Sequence, residues 1–227
     1  MISSDQLSPK VSTVKLVGQV DRPSARFMRR VYGIDFDHQS KLRFDHRSET
    51  DAAAAAYSGG ATMNDTTQHE THDLVVSRDI PAPIEAAWKS WTEPDRVLRW
   101  WGPTGFTCTV AELDVRVGGT SLVCMTAPDW GFPALYSTWA YTLVDAPRRL
   151  EFIHNIADEH GATIDPATIG AAGIPRDVRH VIAFESIGDG DATRLTVTEL
   201  GYTDPEQLAL SKKGLEESLD KLVAIYV

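Results

Sequence analysis

Side chains able to do chemistry are sparse in this sequence, and most fail on spacing. His154 in "RLEFIHNI" is the most suggestive. Successive strand residues point to opposite faces, so His154 shares a side with Leu150 and Phe152, while Glu151 and Ile153 take the other. An imidazole in register with two core apolars looks into a cavity or onto its rim; the plainer alternative is a satisfied histidine at a strand end. With Tyr136 or Glu199 nearby, it is the one acid–base set that can be assembled. "HETH" at 69–72 spaces its histidines by three rather than four residues, outside a helical pattern, unlike a metalloprotease motif. There is neither a phosphate-binding glycine loop nor a G-x-S-x-G elbow. "DEHGATIDP" reads as an exposed acidic loop rather than a metal site. Cys108 and Cys124 are too few for a disulfide scaffold or a thiolate zinc site, and read as small reduced core residues. No catalytic residue, metal or cofactor is assigned.

Recognition chemistry is better represented. In "DRVLRWWGPTGF" two tryptophans stand side by side, and neighbouring helix residues point about 100° apart. Trp100 and Trp101 therefore cannot share a face. Trp100, three residues after Val97, is the inward ring, and Trp101, beside Leu98 and Gly102, is the gate of a cavity or a second packing residue. Strand alternation puts Val123 with Met125 on one face, and Ile182 with Phe184; Tyr136 and Trp139 fall on opposite faces. The candidate cavity residues are Trp100, Trp101, Val123, Met125, Tyr136, Phe152, His154, Phe184, Leu215 and Leu219. Aromatic and thioether side chains with few polar groups suit a small apolar or aromatic ligand. Plain core packing is the competing explanation for Met125, Phe152 and Phe184.

The elements that must position these residues follow from periodicity and turn chemistry. "HDLVVSRDI" reads as a strand ending at Pro81. Pro83 suits the first turn of a helix over "PIEAAWKSW", and Thr92 with Asp95 has capping-box spacing for a second short helix stopped by Gly102-Pro103. Three hairpins follow, turning at "RVGG", "DAPR" and "IGDGD". In "DVRVGG", Asp114 and Arg116 are a turn-fixing pair. Asp204, Pro205 and Gln207 open a long last helix whose Leu208, Leu215, Leu219, Leu222, Val223 and Tyr226 form one apolar stripe. Strands with one apolar face need a cover, and that helix supplies it. The fold class is α+β.

Composition sets the outer bounds. The 227 residues are 42% hydrophobic and 24% charged, as in a globular protein. No apolar run approaches the ~20 residues of a membrane span, and the first thirty residues lack a secretory apolar block. The expected setting is cytoplasmic. A net charge of −10 disfavours nucleic acid, which rewards basic patches. That charge is uneven: residues 1–62 balance at +2 and the remainder at −12. Residues 1–70, with the run "DAAAAAYSGGATMND", are expected to be a disordered extension before a domain over 71–227. Met63 has the look of a natural start, which would make 1–62 an upstream addition.

From residue 72 onward the words themselves are familiar. "SRDIPAPIEAAWKSWTEPDRVLRWWGPTGF", "LDVRVGGTSLVCM" and "VDAPRRLEFIHNIADEHG" resemble the Hsp90-ATPase-activator-like (AHSA1-type) family of the SRPBCC, or START-like, superfamily. The resemblance implies a helix-grip: a seven-stranded curved antiparallel sheet, two short helices, and a long C-terminal helix enclosing a cavity. It also implies three functions. The first is non-catalytic binding of a small hydrophobic or aromatic molecule in the cavity. The second is a chaperone partner or activator role, linked to stress response. The third is a polyketide cyclase or dehydratase-like enzyme. A homodimer stays open. Many members carry Gly-Trp in the last helix where this chain has Gly214-Leu215, which would enlarge the cavity or alter its floor.

Overall fold

The computed structural model describes residues 71–227, apart from Gly131 and residues 170–173. The expectations for residues 1–70 and for Met63 lie outside the described residues. β1 (His72–Ile80) is followed by two short helices, α1 (Ile84–Thr92) and α2 (Pro94–Trp100). Six strands come next: β2 (Thr107–Glu112), β3 (Thr120–Ala127), β4 (Phe132–Asp145), β5 (Arg149–Ala157), β6 (Val178–Ile187) and β7 (Ala192–Tyr202). α3 (Pro205–Val223) closes the chain. All seven strands form one antiparallel sheet in the order β1-β7-β6-β5-β4-β3-β2, curved around α3 in a helix-grip α+β fold.

Alternation decides what the sheet buries. On β6, Val178, His180, Ile182 and Phe184 are buried while Arg179 and Glu185 are exposed. On β7 the inward set is Thr193, Leu195, Val197 and Glu199. β5 follows the same rule, with Leu150 and Phe152 inward. Glu151 faces the other way, with its carboxylate between Arg149 and Arg179 at 2.6 Å and 2.5 Å. α3 presses Leu215, Leu219 and Leu222 into this interior, and Leu219 and Leu222 are fully buried. Each such leucine contributes about 1.5–3 kcal/mol by leaving water.

Side-chain oxygens fix the start of α3. Asp204 accepts from the backbone N–H of Glu206 and Gln207, with Pro205 at the first turn. The shorter helices begin differently from the sequence reading. Pro83 is the N-cap of α1 rather than its first helical residue, and Glu93, not Thr92, caps α2. Thr92 is still inside α1, where its hydroxyl donates to the Trp88 carbonyl, so it cannot reach an amide of the next helix. The β2–β3 connection is held by the ion pair of Arg116 with Asp114 at 2.9 Å. Gly119 is demanded there, since a Cβ would come within 2.2 Å of the Asp114 carbonyl.

Three polar ties set α3 against the rest. Arg78 on β1 pairs with Asp220 at 2.7 Å. Lys221 Nζ donates to the carbonyls of Gly102 and Phe106, at 2.8 and 3.0 Å, and Thr104 N–H donates to Glu217. The Gly-Pro loop after Trp101 is thereby fastened to the helix across from it.

Candidate functional site

A cavity of about 170 Å3 lies between the concave face of the sheet and α3. Its apolar wall is built by Trp101, Met125, Leu135, Ile156, Leu210 and Leu215. Gly214 also borders it, and a Cβ built there would meet nothing within 4 Å. On the sheet the polar end lies at β5–β7, with His154, His180, Glu199 and Tyr202, while α3 contributes Gln207, Ser211 and Ser218 interleaved with Leu210 and Leu215.

The two tryptophans divide as their helix angle requires. Trp100 is fully buried, and its indole N–H donates to the Ser90 carbonyl at 2.8 Å. Trp101 is half-buried, lines the cavity, and meets Trp139 edge-on with centroids 4.8 Å apart. Trp91, Trp100 and Trp139 form the packed floor behind it.

Of the ten residues singled out from sequence, Trp101, Met125, His154 and Leu215 line the cavity and six do not. Val123 and Leu219 share the inward side but are sealed by neighbouring side chains, each with no exposed surface. Trp100 is likewise beneath the lining. Phe152 lies one layer deeper, stacked between Trp139 and His180 at 5.1 and 5.0 Å. Phe184 packs edge-on against Trp88, away from the lining residues. Tyr136 lies on the opposite face of β4 from Ser137 and Trp139, which turns its ring from the cavity.

The polar end is a connected network. His180 Nδ1 lies 3.2 Å from the Val178 carbonyl, which can only accept, so this nitrogen carries a proton. His180 Nε2 faces Glu199 Oε1 at 3.2 Å, and Tyr202 O–H donates to Glu199 Oε2 at 2.5 Å. Burial pushes the Glu199 carboxyl up, but the His180 charge and the hydrogen bonds from His180 and Tyr202 outweigh it and hold it below the usual carboxylate range. Burial and the adjacent Glu199 charge raise the Tyr202 phenol, keeping it a donor.

His154 stands beside this pair, ring centroids 5.1 Å from His180. Neither of its nitrogens has a hydrogen-bond partner among the described residues. Burial, followed by the His180 charge, pushes its pKa down to about 3, against a smaller opposing pull from Glu199. At neutral pH it offers the cavity one N–H donor and one bare nitrogen acceptor.

His180, Tyr202, Gln207, Ser211 and Ser218 were missed from sequence. His180 was within reach of the alternation that pairs Ile182 with Phe184, extended back by one step. Tyr202 was not: Gly201, at φ +93°, and a register shift where β7 meets β1 break the alternation after Glu199. Among the described residues no three His, Cys, Asp or Glu side chains converge as a metal site. Cys108 and Cys124 are free and buried, and burial pushes Cys108 up to about 11. No described helix is long and apolar enough to cross a membrane.

The family model for Activator of Hsp90 ATPase homolog 1-like protein matches residues 81–226, well over half of the chain. The chain belongs to this family. Among solved structures, protein Ms6760 of Mycobacterium smegmatis is 26% identical, with a TM-score of 0.53 over 67% of this chain and 86% of that one. A protein from Arthrobacter aurescens is also 26% identical, with a TM-score of 0.55 over 68% and 85% of the two chains. The AHSA1 protein of Silicibacter pomeroyi, 20% identical at a TM-score of 0.55 over 68% and 96%, shares the fold. No curated protein matches the chain. For this Hsp90-activator-homolog-like chain, chaperone activation is a property carried by the name of its relatives; the cavity is its own.

Proposed function

We propose that this family member binds a small apolar or aromatic molecule in the cavity between its sheet and α3, without transforming it. The observation that carries this reading is unfilled space bordered by a mid-helix glycine. Gly214 interrupts α3 where Ala would be about 0.5–1 kcal/mol more favourable, and nothing packs over it that would forbid a side chain. Close packing is the rule in protein interiors, so a cavity with a mostly apolar wall is suited to an occupant. At about 170 Å3 it matches the size class that in other proteins admits a single benzene-like ring.

The polar end favours holding over chemistry. His180, Glu199 and Tyr202 spend their hydrogen bonds on one another. His154 is a weak base with its pKa near 3, far from the neutral value that suits general base catalysis.

Filling the cavity tests the reading. Leu215→Trp, which restores the Gly-Trp pair many relatives carry, should leave the melting temperature within a few degrees of the parent. It should also abolish the thermal shift that toluene gives the parent protein. A toluene shift undiminished in Leu215→Trp would place binding elsewhere.

A further inference from the structure

We infer that the cavity selects a one-ring aromatic carrying an uncharged hydroxyl, seated with that hydroxyl on His154 and its ring against Trp101, Met125 and Leu215. The inference rests on the cavity-binding reading above and names the ligand's polar group. Three observations carry it.

The first is the distribution of polarity. Across the sheet, Met125 and Leu135 line the cavity from β3 and β4 and the cluster of His154, His180, Glu199 and Tyr202 lines it from β5 to β7, so a bound ring must direct any polar substituent toward the cluster. A purely apolar ligand would leave both His154 nitrogens unpaired, and a buried polar group without a partner is costly.

The second is availability. Among the polar lining residues beside His154, Ser137 comes from β4, His180 from β6, Glu199 and Tyr202 from β7, and Gln207, Ser211 and Ser218 from α3. Most of these are already engaged. His180 is held by Val178 and Glu199, Glu199 also by Tyr202, Gln207 by Ser211, and Ser218 by the Gly214 carbonyl at 2.8 Å. His154 alone among the ionisable lining groups keeps a donor and an acceptor free. A hydroxyl is complementary to it in either sense, because it both donates and accepts.

The third is charge. Among the described lining residues the acid is Glu199, already engaged by His180 Nε2 at 3.2 Å and by the Tyr202 hydroxyl. A carboxylate entering this end would lose its water, find both His180 nitrogens already engaged by Val178 and Glu199, and meet the Glu199 carboxylate. Burying an unpaired charge is far more costly than burying a hydroxyl that finds a partner. The site is therefore selective against anions as well as for a hydroxyl.

The experiment titrates the full chain at neutral pH with three compounds of one shape, toluene, p-cresol and 4-methylbenzoate, by calorimetry and by NMR of the imidazole signals. p-Cresol should bind about 5–10-fold more tightly than toluene, the worth of one net hydrogen bond. 4-Methylbenzoate should bind about tenfold or more weakly than toluene. His154→Phe should erase the preference for p-cresol over toluene, and His154→Gln, which keeps a donor and an acceptor, should restore part of it. Equal affinity for p-cresol and toluene, or a carboxylate that binds most tightly, would overturn the inference and leave cavity binding standing. No binding by any of the three would remove the cavity-binding reading and this inference together.

Discussion

The two ends of the interior are built on opposite principles. At the tryptophan end Trp91, Trp100 and Trp139 are packed without exposed surface, and the indole N–H groups of Trp91 and Trp139 have no partner among the described residues. Burial of large rings outweighs that cost: each buries 150–250 Å2 of surface. At the histidine end the side chains are polar, and His180, Glu199 and Tyr202 pair with one another while His154 does not, at the expense of apolar burial. On the proposed reading, stability is concentrated at the first end and ligand discrimination at the second. Trp101 belongs to both, one edge on the aromatic floor and the other on the cavity.

Damage to the dry side should be the larger effect. Leu219→Asp puts a carboxylate into the fully buried stripe of α3 and should cost more than ~3 kcal/mol, a large share of a domain's stability. Denaturant unfolding checks this, and a variant that stays folded and monodisperse would contradict the grip of sheet on helix. The polar end should instead reveal itself through pH. His154 takes up a proton near 6.5 when unfolded but only near 3 when folded. Between those values the unfolded chain binds more protons, so stability falls as pH falls, by up to about 1.4 kcal/mol per unit. Glu199, held low in the fold, adds loss in the same direction as pH falls from the ordinary carboxylate range toward its lower folded value. His154→Phe should flatten its own share of the slope between pH 6.5 and 4, measured by chemical denaturation at each pH. An unchanged slope would show that His154 is not kept neutral by its surroundings.

The fold was legible because its signals are local. Polar–apolar alternation on β5, β6 and β7, the Asp204 cap and the leucine stripe of α3 each state their own geometry. The cavity was legible in part. Met125, His154 and Leu215 follow from the same periodicities, but alternation gives a side, not a depth. Val123, Phe152 and Leu219 point inward too and are sealed by neighbours that only the three-dimensional packing brings together. The pairing of His180 with Glu199 is a cross-strand contact between residues nineteen positions apart, and Tyr202 reaches it through a break in alternation at Gly201. Such contacts depend on register, which no single segment announces.

The central claim is that packing and recognition divide between adjacent tryptophans. It is tested most directly by measuring unfolding free energy and p-cresol affinity for Trp100→Ala and Trp101→Ala side by side. Trp100→Ala should destabilise by roughly 3–5 kcal/mol, through lost burial and an unfilled hole. Trp101→Ala should cost about 1–2 kcal/mol, because its ring is half-buried, and should weaken p-cresol at least about fivefold by removing one side of the ring's seat. Equal destabilisation by the two variants, with p-cresol affinity unchanged in Trp101→Ala, would contradict the account and make both rings scaffold.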